Sequence, residues 1–399
     1  MAGYSASQRE IYHNLFSRES ICSREASNPV TRVTRTISIK IIFWLISISC
    51  IYSSSVHADP GFSFNSMPGK LVNIGTHRLH IYCLGNGRPV VIIDSGLGGF
   101  SLEWKKIQSS LSEKVMVCTY DRTGYGWSET GTEPRTTRQI VSELHSLLVK
   151  AEIPGPYILV GHSFGGYNIR YFASLYQESI AGLVLIDASH PDQLDRMPEP
   201  EVRPVNRNVN SITITRSIPV IPENYPEDVR QQAFIMMANS KAIQTYNMEW
   251  ENFRLSANQV NQLNYLPDVP LTVITRGKRV WPHDAFGDES EKVWTVLQDE
   301  LSTLTSQSTH LIASRSGHLV HLDEPELVIS AIEKTVETAV NNEEIRIARL
   351  LQQKKSAEKT MLLVSLNHLR SSNNRYVNPL YGIVTWPEDI KHASFLMPQ

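Results

Sequence analysis

The 399-residue chain predicts an α/β protein with a doubly wound, mostly parallel sheet, on three observations. Uniformly apolar runs recur at Pro89-Val90-Val91-Ile92-Ile93, Val115-Met116-Val117-Cys118-Thr119-Tyr120, Tyr157-Ile158-Leu159-Val160 and Leu183-Val184-Leu185-Ile186. Strands buried on both faces of a parallel sheet read this way. Between them lies helical spacing, with Ile140, Leu144, Leu147 and Leu148 on one face between Thr137 and Lys150. Last, Gly161-His162-Ser163-Phe164-Gly165-Gly166 joins an apolar run to an amphipathic stretch starting at Tyr167. That is strand, sharp turn and helix, with a serine at the tip.

Along the chain, residues 1–58 read as a leader. Arg9, Arg18, Arg24, Arg32, Arg35 and Lys40 precede the apolar run 41–51, which is short of the roughly 20 residues a membrane span needs. It has the length of a signal-peptide h-region, and Val56-His57-Ala58 offers a cleavage site before Asp59-Pro60. Export is expected, the alternative being an uncleaved membrane anchor through 41–51. Cys50 does not make a lipoprotein site, because Ser47 stands where a larger aliphatic residue is expected.

Lys70-Leu71-Val72-Asn73-Ile74 and Arg78-Leu79-His80-Ile81-Tyr82-Cys83 flank Gly75-Thr76-His77 and predict a hairpin. Core strands and helices then alternate over 66–190. Regularity lapses over 191–267, which opens with Pro191, Pro198, Pro200 and Pro204 and carries helical stretches near Glu227–Ala238 and Ala242–Leu255. An insertion at the serine's end of the sheet is a cap that shapes a pocket. Met236, Met237, Met248, Trp250 and Phe253 either line that pocket or pack the cap onto the core. The second part of the core, 268–340, holds strands at Leu271-Thr272-Val273-Ile274 and Leu311-Ile312-Ala313 and helices over Glu291–Leu304 and Pro325–Val336. Residues 341–399 carry no motif and are expected to form a loose tail or an extra docking element.

Formal net charge is −2, so nothing global points to nucleic acid. There is no Cys-x-x-Cys, no His-Glu-x-x-His and no acidic cation loop, so no metal or other cofactor is expected.

Ser163 sits where a nucleophile elbow puts its serine. Glycine is required two residues to either side because so tight a bend drives neighbouring Cβ atoms into backbone. A serine at neutral pH is a weak nucleophile and needs a base, which needs an orienting acid. Ser316-Gly317-His318 follows the last strand and supplies the base, with His321 as its strongest rival, ahead of His310 and His283.

Gly161–Gly166, Ser316-Gly317-His318 and Asp121-Arg122-Thr123-Gly124-Tyr125-Gly126-Trp127-Ser128 together resemble the α/β-hydrolase superfamily, in its esterase-like and haloperoxidase-like branch. The likeness spans roughly residues 66–340 and is weakest in the cap. It implies an eight-stranded sheet, an acyl-enzyme on Ser163, and an oxyanion hole from the amides of Phe164 and, within Asp94-Ser95-Gly96-Leu97-Gly98-Gly99, Leu97. Ser95 stands where many relatives have histidine. Asp121 and Arg122 are read as a structural brace.

Members commonly carry the acid shortly after the seventh strand, but Thr275-Arg276-Gly277-Lys278-Arg279-Val280-Trp281-Pro282 has none. Asp187, at the end of the preceding strand, is the expected acid, with Asp288 and Asp284 as alternatives. The fold also makes the strands of Cys83 and Cys118 neighbours, so the two are either small buried hydrophobes or a disulfide.

The resemblance implies a serine hydrolase, with a carboxylesterase on small to medium apolar esters expected first. An amidase, lactonase, acyltransferase or cofactor-free haloperoxidase-like enzyme would use the same triad. A non-catalytic ligand-binding protein is the rival from another class. The expected partner is a small ester-like molecule, with membrane contact only through an uncleaved leader; oligomeric state is left open.

Overall fold

The computed structural model describes residues 66–199, 221–263 and 265–372. The leader 1–58, its run 41–51 and the chain beyond 372 lie outside the described residues. Eight strands, β1 (Lys70–Asn73), β2 (Arg78–Leu84), β3 (Val90–Asp94), β4 (Val117–Tyr120), β5 (Tyr157–His162), β6 (Ile180–Ile186), β7 (Leu271–Arg276) and β8 (Ser308–Ala313), form one sheet. Their order is β1-β2-β4-β3-β5-β6-β7-β8. The hairpin partner β1 and the β2–β4 pair are antiparallel, and every later pair is parallel.

Period-two alternation sends each core strand's side chains into two layers. On one side Ile92, Leu159, Leu183, Leu185 and Val273 meet α2 (Thr137–Lys150) and α3 (Gly165–Leu175). On the other, Val91, Ile93, Ile158, Val160, Val184 and Ile186 meet α1 (Lys105–Leu111) and the start of the last helix. Thr136 caps α2, its side chain accepting from the Gln139 amide. Helix α1 escapes a reading by periodicity because its one apolar pair, Ile107 and Leu111, spans a single turn.

The cap carries α4 (Gln193–Arg196), α5 (Glu227–Met237), α6 (Ser240–Glu251) and α7 (Phe253–Asn261). The stretch expected to run unbroken from Ala242 to Leu255 breaks at Asn252, whose side-chain amide donates back to the Met248 carbonyl at 2.8 Å. Helix α8 (Ala285–Leu301) starts earlier than its apolar spacing suggests, because Asp284 caps it. After the short α9 (Val320–Asp323), α10 runs from Pro325 to Ser372. Of the two expectations for 341–399, a loose tail or a docking element, the described part up to Ser372 is helical and so is not a loose tail. From Glu326 to Ser372 the chain has neither glycine nor proline, and its charges pair at helical spacing, as Arg346 does with Glu343 at 2.7 Å. No helix among the described residues is long and apolar enough to cross a membrane.

Cys83 faces Cys118 directly across the antiparallel β2–β4 pair, with Cα atoms 4.0 Å apart and sulfurs bonded at 2.06 Å. The disulfide reading therefore holds in the structure over the alternative of two buried thiols.

Candidate active site

Ser163 lies in the bend between β5 and α3 with φ of +50°, a conformation rare outside glycine. Three backbone bonds hold it there. Its amide donates to the Ile186 carbonyl, and its carbonyl accepts from the Gly166 and Ser189 amides, all at 3.0–3.1 Å. Crowding excludes side chains from the flanking glycines. A Cβ on Gly161 would stand 2.7 Å from the Gly165 oxygen, and one on Gly165 would stand 2.3 Å from the Asp94 oxygen.

Asp187 follows β6 and also has positive φ, +39°. Its carboxylate is fully buried, and each oxygen is claimed by named donors. Oδ2 accepts from His318 Nδ1 at 2.6 Å and from Arg276 Nη1 at 3.2 Å; Oδ1 accepts from Trp294 Nε1 at 2.8 Å and, more loosely, from Arg276. Burial alone would raise its pKa, but the Arg276 charge, with the His318 and Trp294 hydrogen bonds, brings it below the usual carboxylate value. Arg276 itself lies between the Trp281 and Trp294 rings, 4.5 and 5.0 Å from their centroids, and reaches Glu291 at 3.0 Å. An arginine therefore occupies the end of β7, beside the loop where the resemblance implied an acid. Asp284 is spent on the α8 amide of Gly287, and exposed Asp288 pairs with Arg279.

His318 sits in the loop between β8 and α9, and its carbonyl accepts from His162 Nε2 at 2.9 Å. Burial, then the neighbouring His321 and His318, pushes the pKa of His162 well below the ordinary imidazole value, so it is neutral. The rival histidines have other surroundings. His321 is buried and stacked on Trp104 at 4.3 Å, His310 bonds Thr275, and His283 is exposed.

Ser163 and His318 line one narrow cleft, partly open to solvent, together with Leu97. The remaining wall is mostly apolar, from Trp250 and Phe253 of the cap and Val280, Trp281 and Trp294 of the core; Ser189 and Gln193 add polar groups. The cap residues thus divide. Trp250 and Phe253 face the cleft, whereas Met236 and Met237 pack against a cluster containing Phe100, Tyr125 and Tyr225. Neither Leu97 N–H nor Phe164 N–H donates to a backbone carbonyl among the described residues. Sequence reasoning missed Arg276, Trp294 and Glu249. The one available signal was the Arg-Gly-Lys-Arg run standing where an acid was sought.

Among the described residues, His190, Asp192 and Glu300 bring potential metal ligands within 4.8 Å of one another. The Asp192 amide already donates to His190 Nδ1 at 3.1 Å, and Arg196 holds Glu300 at 2.6 Å. These atoms are committed to protein partners.

Comparison with known proteins agrees with this fold. The family model for the alpha/beta hydrolase fold matches residues 89–208. YqjL of Bacillus subtilis (strain 168) is 28% identical over 248 residues, 62% of this chain and 83% of that protein. An AB hydrolase superfamily protein of Gibberella zeae is 24% identical over 281 residues, 62% of this chain and 86% of that one. Among solved structures, a protein put forward as a lipase, lip1 of Acinetobacter baumannii AYE, superposes with TM-score 0.53 at 16% identity, covering 78% of this chain and 100% of that one. Residues 89–208 thus match the alpha/beta hydrolase family, and the chain has the α/β-hydrolase fold.

Proposed function

We propose that the chain is a serine hydrolase acting through an acyl-enzyme on Ser163, a carboxylesterase for small to medium apolar esters. The observation that carries this is the contact of His318 Nδ1 with buried Asp187 at 2.6 Å, in a loop whose histidine lines the same cleft as Ser163. A carboxylate on Nδ1 fixes the tautomer in which Nε2 carries the lone pair, which a general base requires.

In this reading Nε2 takes the Ser163 proton as Oγ attacks the ester carbonyl. The Leu97 and Phe164 amides receive the oxyanion, a class of contact worth roughly 10²–10³-fold per donor. His318 then protonates the departing alkoxide, and activates water to free the acid from Ser163. The Trp250, Phe253, Trp281 and Val280 walls supply an apolar seat for the acyl group.

The test is a series of p-nitrophenyl esters of rising acyl length beside the matching p-nitroanilides. Turnover of the short and medium esters, abolished in Ser163→Ala, is expected, with anilides much slower. No ester turnover, or full turnover in Ser163→Ala, would refute the reading; faster anilide cleavage would make it an amidase.

Export completes the proposal. The leader's pattern supports it, as does a Cys83–Cys118 bond, which persists in oxidising compartments. The mature protein's N-terminal residue is expected to be Asp59; recovery of the intact chain in a membrane fraction would favour the anchor instead.

A further inference from the structure

Arg122, in the glycine-rich loop after β4, is only 2% exposed and lies directly behind the loop that carries Leu97. A guanidinium has five N–H donors, and here all five have acceptors. Nε and one Nη2 proton go to the two carboxylate oxygens of Glu249, at 2.9 and 3.0 Å. Nη1 donates to Asp94 at 2.8 Å and to the Ser95 carbonyl at 2.6 Å, and the second Nη2 proton goes to the Gly96 carbonyl at 2.8 Å.

The last two bonds concern peptide planes. In a trans peptide the C=O and the following N–H point in opposite directions. With the Gly96 carbonyl turned back to Arg122, and also accepting from Gly99 at 3.1 Å, the Leu97 N–H is turned the other way. A flip of that peptide would aim a carbonyl instead of an N–H at the site and would break both bonds. Arg122 also lies 5.6 Å from the centroid of the Phe164 ring, so it bonds the peptide that bears the Leu97 amide and neighbours the side chain of the other residue assigned to the oxyanion.

Glu249 comes from elsewhere. It lies on cap helix α6, fully buried, 127 residues away in the chain, and it takes a further bond from Tyr125 at 2.9 Å. Lifting the cap would pull this carboxylate off Arg122 and leave the arginine two acceptors short. We propose that Arg122 is the positioning residue that holds the Gly96–Leu97 peptide in its oxyanion-binding orientation, and that Glu249 makes that hold depend on a seated cap. This rests on the reading of Ser163 as an acyl-forming nucleophile.

The test uses R122K, which keeps the charge but loses the fork, and the near-isosteric E249Q. For each, kcat and KM on a p-nitrophenyl ester are measured beside the affinity of a trifluoromethyl ketone that forms a tetrahedral adduct on serine, with thermal melting to confirm folding. R122K is expected to lose about 10²-fold in kcat and E249Q about tenfold, with KM within about threefold and ketone affinity falling in step with kcat/KM. A purely structural brace would change melting temperature or KM but not the ketone's affinity in step with turnover. Folded variants with wild-type kcat, or a kcat loss with unchanged ketone affinity, would overturn the proposal. If R122K does not fold, E249Q decides alone. Failure of the wild-type enzyme to react with a fluorophosphonate would instead overturn the serine-hydrolase reading beneath it.

Discussion

Replacing Asp187 by Asn changes one atom, and the contacts around it dictate where that atom goes. Both carboxylate oxygens accept hydrogen bonds, Oδ1 from Trp294 and Arg276, Oδ2 from His318 and Arg276. An amide has only one acceptor oxygen. Trp294 is a donor with no other tautomer, so the Asn oxygen settles opposite it and the NH₂ faces His318 Nδ1. Nδ1 must then accept, the proton moves to Nε2, and the lone pair that would deprotonate Ser163 is gone. Wrong-tautomer loss of this kind is about 10⁴-fold in kcat, or about 5.5 kcal/mol of barrier at 1.36 kcal/mol per decade. The assay is kcat/KM on a short p-nitrophenyl ester at pH 7–8, with circular dichroism to confirm folding. Asp288→Asn, at an exposed ion pair, is expected within about twofold of wild type, and Asp284→Asn, at a helix cap, likewise with at most about 1 kcal/mol of lost stability. Activity of Asp187→Asn within tenfold of wild type, or a collapse in either of the other two, would refute the assignment.

Arg276→Gln should destabilise the fold by about 3–5 kcal/mol in urea titration, since it leaves Asp187 and Glu291 without their shared buried cation. Reduction of the Cys83–Cys118 bond, which closes a loop of separation 35, is expected to remove about 3–4 kcal/mol, and the denatured, unreduced mature protein should titrate with no free thiol. His190 is held neutral in the fold, its pKa pushed down to about 4 by burial and then by Arg170. The unfolded chain takes up that proton below about 6.5, so stability is retained above that value and lost as pH falls toward 4. With the group's partial solvent contact the loss is about 2 kcal/mol; His162 acts in the same direction, so His190→Gln should flatten only part of the decline in unfolding free energy between pH 7 and pH 5.

Much of the architecture was legible because it rests on local rules. Uniform apolar runs mark β3 to β6, and steric exclusion at Gly161 and Gly165 marks the bend at Ser163. His318 followed from its place after the last strand. Asp187 stayed one of three carboxylates because its distinguishing property, a buried pocket of donors from β7, α8 and the loop of His318, comes from segments distant in sequence. The bond between Arg122 and Glu249 was illegible for the same reason, joining residues 127 apart through an insertion whose spacing marks helices but not their docking. The end of the chain stayed open between a tail and a docking element for another reason. A charged stretch without apolar periodicity reads as a tail, whereas helical propensity and i,i+3 pairs carry α10 on to Ser372.

The central claim is that Ser163 is an activated nucleophile. Its most direct measurement is the intact mass of the folded protein after brief exposure to a fluorophosphonate, followed by peptide mapping. The account predicts one phosphonyl adduct, on Ser163, absent from His318→Ala and from protein unfolded beforehand. No adduct on the folded protein, or an adduct on another residue, would contradict it.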